Sequence, residues 1–268
     1  MTTTAPPLAT GWEPGAAEGD TMTRRFLFHL ARTYEAFAEA AGGRVQRDPM
    51  MAASDLRRPS GFFNSIILLQ PVTPTNEAEV VDRIARFVAG GTGEVEVWSL
   101  WPLPDMAIHG WELIGHPPLL VRPPNTPLEE LGSSIPDITR VESADGLADW
   151  DRVAIEGFPL PEAEASSRLA DPKLLNDPRL KFWVGYENGV AVSLGTVFVE
   201  DDLASFTLGV TRPEARGRGH WQAHARARLA AAPDRWMTGV FSDFSRPLAE
   251  AIGFVPITRF NLWAIPRG

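Results

Sequence analysis

Residues 205–221, Ser-Phe-Thr-Leu-Gly-Val-Thr-Arg-Pro-Glu-Ala-Arg-Gly-Arg-Gly-His-Trp, read as a strand, a loop and a helix start in immediate succession. Aromatic and β-branched residues without a helical period fill 205–211 and Pro213 breaks the strand. Arg216-Gly217-Arg218-Gly219 then opens an Ala/Arg/Leu-rich segment of high helix propensity. A helix N-terminus presents unsatisfied amides and the positive end of its dipole, and glycine lets an anion approach the backbone closely. The stretch is an anion site by chemistry, or a solvated turn with scattered arginines; the elements around it decide.

Those elements form a pattern. Residues 138–141 read as a strand, and Asp145 caps a helix whose Leu147, Trp150, Val153 and Ala154 share one face. Leu180, Phe182, Val184 and Tyr186 alternate up to Asn188-Gly189, a hairpin turn, from which Val190, Val192 and Leu194 return. After the glycine loop and its helix, 236–241 is strand-like, 245–252 a short helix and 257–265 a last strand.

The order strand, helix, three strands, glycine loop, helix, strand, helix, strand, together with Arg216-x-x-Gly219-x-Trp221, resembles the GNAT superfamily of acetyl-CoA-dependent N-acyltransferases, whose pyrophosphate loop reads Arg/Gln-x-x-Gly-x-Gly/Ala. A second motif agrees: 245–254, Ser-Arg-Pro-Leu-Ala-Glu-Ala-Ile-Gly-Phe, resembles the family's late Asn-x-x-Ser/Ala through Leu-Gly-Phe, with Ser242 where Asn is common. Trp221 stands where the family has a small residue.

The first half has its own helix, strand, helix, strand order. Phe26, Leu30, Tyr34, Phe37 and Ala41 mark a helix stopped by Gly42-Gly43; 62–72 reads as a buried strand; Val80, Val81, Ile84, Phe87 and Val88 mark a second helix; Val95, Val97 and Trp98 begin another strand. Leu113-Ile114-Gly115-His116-Pro117-Pro118 echoes 251–256, Ala-Ile-Gly-Phe-Val-Pro. The expected architecture is α/β (α+β in some schemes), a GNAT fold with a mixed central sheet flanked by helices, in two GNAT-like domains. Residues 1–19 form a flexible tail, 20–124 a degenerate GNAT-like half without the glycine loop, 125–136 a linker, and 137–268 the acyltransferase domain; an unrelated α/β extension is the alternative for the first half.

Composition limits the chemistry. With no cysteine, disulfides, thiolate metal sites and a cysteine nucleophile are excluded, and five scattered histidines lack metal-ligand spacing, so no metal is expected. A net charge of -9 argues against nucleic-acid or anionic-membrane partners and sets the arginines at 212, 216, 218, 226 and 228 apart as a local exception suited to a discrete anion. No apolar run approaches the roughly 20 residues of a membrane span, and no leader is apparent at the N-terminus, so a cytoplasmic protein is expected. Nine tryptophans are compatible with packing or with a homo-oligomer interface.

The resemblance implies N-acyl transfer from acetyl-CoA, or another acyl-CoA, as cosubstrate to an amine acceptor. It places the pantetheine arm along Leu208, Gly209, Val210 and Thr211, and the pyrophosphate on the amides of Arg216, Gly217, Arg218, Gly219, His220 and Trp221, with Ser242 nearby. Many relatives protonate the departing thiolate with a tyrosine whose position here is Ala249; Ser245 or solvent is the substitute, although a serine there also suits an N-cap. For the general base the acidic Glu156, Glu162 and Glu164 are candidates, or else solvated charges; His220 and His224 suit phosphate contact or packing better. Two other readings stand beside this one: a non-catalytic acyl-CoA-binding or structural module, and a nucleotide-phosphate enzyme. The second is weakened by the absence of the Lys-Ser/Thr of a Walker loop after Gly219.

Overall fold

The computed structural model describes residues 21–127, 136–158, 160 and 169–267. The proposed tail, most of the proposed linker, and Glu162 and Glu164 therefore lie outside the described residues.

In the first half, α1 (Met22–Ala40) starts at Thr21, whose hydroxyl accepts from the Arg24 amide, and buries Phe26, Leu27, Leu30 and Phe37. It leads into β1 (Arg44–Arg47), β2 (Met51–Asp55) and β3 (Asn64–Leu68), then α2 (Glu77–Val88), β4 (Val95–Ser99), β5 (Glu112–Gly115) and β6 (Pro118–Arg122). In the second half come β7 (Ile138–Arg140), α3 (Ala144–Gly157), β8 (Leu180–Glu187), β9 (Val190–Glu200), β10 (Leu203–Thr211), α4 (His220–Ala230), β11 (Trp236–Val240), α5 (Arg246–Ala251), β12 (Val255–Arg259) and β13 (Asn261–Ile265).

The two mixed sheets repeat one topology and each contains a strand from the other half. One sheet runs β1-β2-β3-β4-β13-β5, the other β12-β6-β11-β10-β9-β8-β7. In each, three antiparallel strands, β1–β3 or β8–β10, are followed by a helix and a parallel fourth strand, through the pairs β3–β4 and β10–β11; the second sheet adds β7, antiparallel to β8, at its edge. The place between that fourth strand and the next is filled from outside: β13 pairs with β4 and β5, and β6 pairs with β11 and β12. The exchange crosses at Phe260, which is fully buried, donates its amide to Pro117 O at 3.0 Å and packs its ring on Phe26 and Trp98.

Several expectations need correction. The stretch after Gly43 holds the β1–β2 hairpin, turned by Asp48, whose carboxylate accepts from the Met50 and Met51 amides. The third strand is shorter than 62–72, because residues 61–63 form a 3-10 turn capped by Ser60. Helix α3 is capped by Ser143, whose hydroxyl accepts from the Gly146 amide, rather than by Asp145, and it continues to Gly157, taking in Glu156. The expected last strand at 257–265 is two strands in different sheets, since a single β run cannot serve both partners without the break at Phe260. The echo between 113–118 and 251–256 is out of step with the repeat: Leu113 and Ile114 lie in β5, whereas Ile252 and Gly253 precede its counterpart β12. The Asn188-Gly189 turn has both residues at positive φ, 50° and 78°, the mirror-image geometry that suits hairpin twist.

Candidate functional site

Strand β10 pairs with β9 through Phe206↔Val197 and resumes at Gly209↔Gly195, so it carries one extra residue at a bulge. Its parallel pairing with β11 ends at Phe206↔Gly239, although β10 continues to Thr211 and β11 to Val240. The two strands part, and among the described residues no strand pairs with the edge of β10 beyond the bulge on that side. A cavity of about 450 Å³ lies in the split, with 206–210 on one bank and 240–242 on the other. A second, also about 450 Å³, adjoins it beside the loop after β10, the first turns of α4 and the Phe244–Leu248 region. Gly209, Val210, Arg216, Trp221, Arg228, Ser242 and Ser245 line both, making them two parts of one cleft of a size suited to a small-molecule ligand.

The loop is built as its glycines require. Gly217 has φ 77° and Gly219, the residue that caps α4, has φ 85°, both left-handed. A Cβ on Gly217 would meet nothing within 4 Å, so that side of the loop is open. Gly219 O accepts the first helical bond, from Ala223, which leaves the amides at the start of α4 without helical acceptors. Trp221 is half-buried against Phe206 and its neighbours and forms cleft wall, and the cavity beside the loop stays open with the indole in place.

Helix α4 has an unusual inner face. His220, His224 and Arg228, at four-residue intervals, are all buried, so the helix shows no apolar stripe and no amphipathic signal. They fit because the strands beneath carry glycines at the matching places. A Cβ on Gly185 would lie 3.0 Å from His220 Nδ1, one on Gly195 2.8 Å from His224 Nδ1, and one on Gly209 3.1 Å from Arg228 Nη1. A polar chain runs along this groove. Glu187 Oε1 lies 3.0 Å from His220 Nε2, His220 Nδ1 2.9 Å from Ser193 Oγ, and Ser193 Oγ 2.9 Å from His224 Nε2. The bond from His220, with Arg218 adding positive charge, holds Glu187 below the ordinary carboxylate range. Burial, reinforced by Arg228, holds His224 neutral, well below the usual histidine pKa.

The structure treats the sequence candidates unequally. Leu208, Gly209, Val210, Arg216, Trp221, Ser242 and Ser245 all line the cleft, as do Thr211, Gly217, Gly219 and His220 in its loop-side part. Arg218 is not among the lining residues: it binds Glu187 Oε2 at 2.5 Å and Glu214 O at 2.8 Å. Glu156 is not among them either, and pairs with Arg212 at 2.7 Å. Ser245 makes no capping bond to α5; its hydroxyl lies 3.0 Å from that of Ser242, both facing the cleft. Ala249, the position of the family's tyrosine, is fully buried in the core cluster that contains Phe206, Phe241 and Phe254. Tyr186 is committed elsewhere, donating to Asp149 Oδ2 at 2.9 Å, and Tyr34 lies beside Phe26, Phe37 and Trp98 in a further cavity that shares Phe62, Phe206, Thr207, Leu208 and Val240 with the cleft. Sequence reasoning counted Arg228 only within a group of arginines suited to an anion, and it missed Ser193. The signal was present in the spacing of His220, His224 and Arg228, and only the strand glycines give it meaning.

Comparison with solved structures identifies the architecture. A GCN5-related N-acetyltransferase from Kribbella flavida superposes with a TM-score of 0.58 at 16% identity, over 89% of this chain and 96% of that one. The chain has the GNAT fold. A functionally unknown conserved protein from Staphylococcus epidermidis shares that fold with a TM-score of 0.60 at 15% identity, over 84% and 95% of the two chains. A GCN5-related N-acetyltransferase-like protein from Streptococcus suis does so at 0.50 and 13% identity, over 91% and 99%. No protein-family model matches the sequence, and no curated protein is similar to it in sequence. The GNAT fold is thus carried here by a sequence 13–16% identical to those three structural neighbours.

Proposed function

We propose that the protein transfers an acyl group from acyl-CoA, with acetyl-CoA the simplest cosubstrate, to a primary amine. The observation that carries the reading is the split between β10 and β11, with the open glycine loop at the end of one bank. Pantetheine would lie along the free edge of β10 from Leu208 to Thr211, and the pyrophosphate against the amides from Arg216 to Trp221, where Arg216 adds charge. The neutral amine attacks the thioester carbonyl carbon, the C–S bond breaks, and the proton lost from nitrogen balances the one gained by sulfur. A thiol pKa of about 8.5 makes the thiolate a tolerable leaving group, so protonation by Ser245 or by water suffices in place of a tyrosine. The two halves, 20–124 and 137–268, are proposed as tandem units that exchange their last strands, with the second supplying the cleft.

Calorimetric titration of CoA and acetyl-CoA into the wild-type protein and Gly219→Glu tests the site. Binding in the micromolar range that is lost in the variant, with its folded circular dichroism retained, is the expected outcome; a folded wild-type protein that binds neither ligand overturns the reading. A non-catalytic acyl-CoA-binding module is the second reading, favoured by the buried Ala249 where an acid would stand. Tight binding without turnover over a panel of amines would select it.

A further inference from the structure

Among the described residues, Arg228 is a buried cation without an anion. It is 4% exposed, its guanidinium carbon lies 3.9 Å from the centre of the Phe206 ring, and its hydrogen-bond partners are the main-chain carbonyls of His224, at 3.2 Å, and Leu208, at 3.5 Å. Among the described residues no carboxylate forms an ion pair with it, and burial alone moves its pKa, down to about 9, so it remains charged at neutral pH. The neighbouring arginines differ: Arg212 is paired with Glu156 and Arg218 with Glu187. An unpaired guanidinium out of water is costly, and its persistence calls for a compensating ligand.

The placement points the same way. Arg228 lines both parts of the cleft, and Gly209 beneath it makes room for the guanidinium, because a Cβ there would come within 3.1 Å of Nη1 and 3.3 Å of Nη2. The residue stands eight positions beyond His220, about 12 Å along the helix axis at 1.5 Å per residue. An anion at Arg228 is therefore separate from one held at the start of α4. The titratable side chain packed beside it is His224, which is held neutral.

We propose that Arg228 binds a carboxylate in the cleft, carried either on the acyl group or on the acceptor amine. The planar fork of a guanidinium matches a carboxylate, and desolvation strengthens the pair. This assignment rests on the acyl-CoA reading for the identity of the two sources.

The test uses the full chain and two arms of calorimetric titration. The first compares CoA, acetyl-CoA and succinyl-CoA; the second compares L-alanine with ethylamine, on the free protein and with CoA present. In one arm the carboxylate-bearing probe should bind at least tenfold more tightly than its neutral counterpart. Arg228→Met should erase that preference, bringing the carboxylate-bearing probe to the affinity of its neutral counterpart. Arg228→Lys, which keeps charge without the fork and guards against a variant that fails to fold, should retain only part of it. Equal binding in both arms, or a preference that survives Arg228→Met, overturns the proposal. Amino-acid binding dependent on Arg228 in a protein that ignores CoA would keep the carboxylate site and sink the acyl-CoA reading.

Discussion

Arg267→Met tests the strand exchange through its most buried ion pair. Arg267 follows β13, which lies in the first-half sheet, and its guanidinium meets Asp55 at 2.8 Å and 3.3 Å, with further bonds to Gly93 O at 2.7 Å and Thr92 O at 2.5 Å. The side chains are 5% and 1% exposed. Removing the cation leaves a buried carboxylate unpaired, which costs about 3–5 kcal/mol in such settings. Arg44, 3.9 Å from Asp55 and more exposed, remains to compensate, so the low end, about 3 kcal/mol, is expected. That corresponds to a fall in Tm of about 6–12 °C for a chain of this size. Burial alone would raise the Asp55 pKa, but the bonds from Arg267 and the Arg57 amide overcome it and hold the pKa low. Stability from the pair is therefore complete above the unfolded value of about 3.9 and lost as pH falls through the lower folded value. Urea denaturation of both proteins between pH 3 and 7 should show a wide gap at neutral pH that narrows in acid. A gap below about 1 kcal/mol at pH 7, or one that does not change with pH, would refute the reasoning.

Gly195→Ala should destabilise the protein by about 1–3 kcal/mol, as overpacking does, because its methyl group would press on the His224 ring at 2.8 Å; chemical denaturation measures it, and a neutral result would mean that α4 can lift from the sheet without cost. Burial lowers the pKa of His29 from 6.5 to about 3, so its neutral form contributes stability that is full above about pH 6.5 and declines as pH falls toward 3. His29→Phe should accordingly flatten the acid limb of the stability profile by about 1.4 kcal/mol per pH unit between 6 and 4, and an unchanged slope would count against a buried neutral imidazole.

The elements of the second half were legible because their signals are local. The alternation of Leu180 to Tyr186, the Asn188-Gly189 turn and the Gly217/Gly219 loop each express a backbone preference that tertiary contacts leave in place. The β1–β2 hairpin was not legible, since its turn is set by Asp48 bonding to amides two and three residues on, and Arg-rich β1 lacks an apolar pattern. The site divided in the same way: lining residues on β10 and in the loop followed from the motif, while Glu156 and Arg218 turned to ion pairs with Arg212 and Glu187 that no spacing rule contains.

By itself the sequence determined where the chain is strand or helix over most of the second half, where its backbone must take positive φ, and that one short stretch collects glycine and arginine in an acidic protein. Only the tertiary structure decided which sheet each last strand joins, because a strand's hydrogen-bonding edge is satisfied equally well by any partner of suitable register and the choice falls to buried Phe260 and the Arg267–Asp55 pair. It also decided that His220, His224 and Arg228 face inward. Their burial depends on glycines 185, 195 and 209 on three neighbouring strands, which come together only when the sheet has formed.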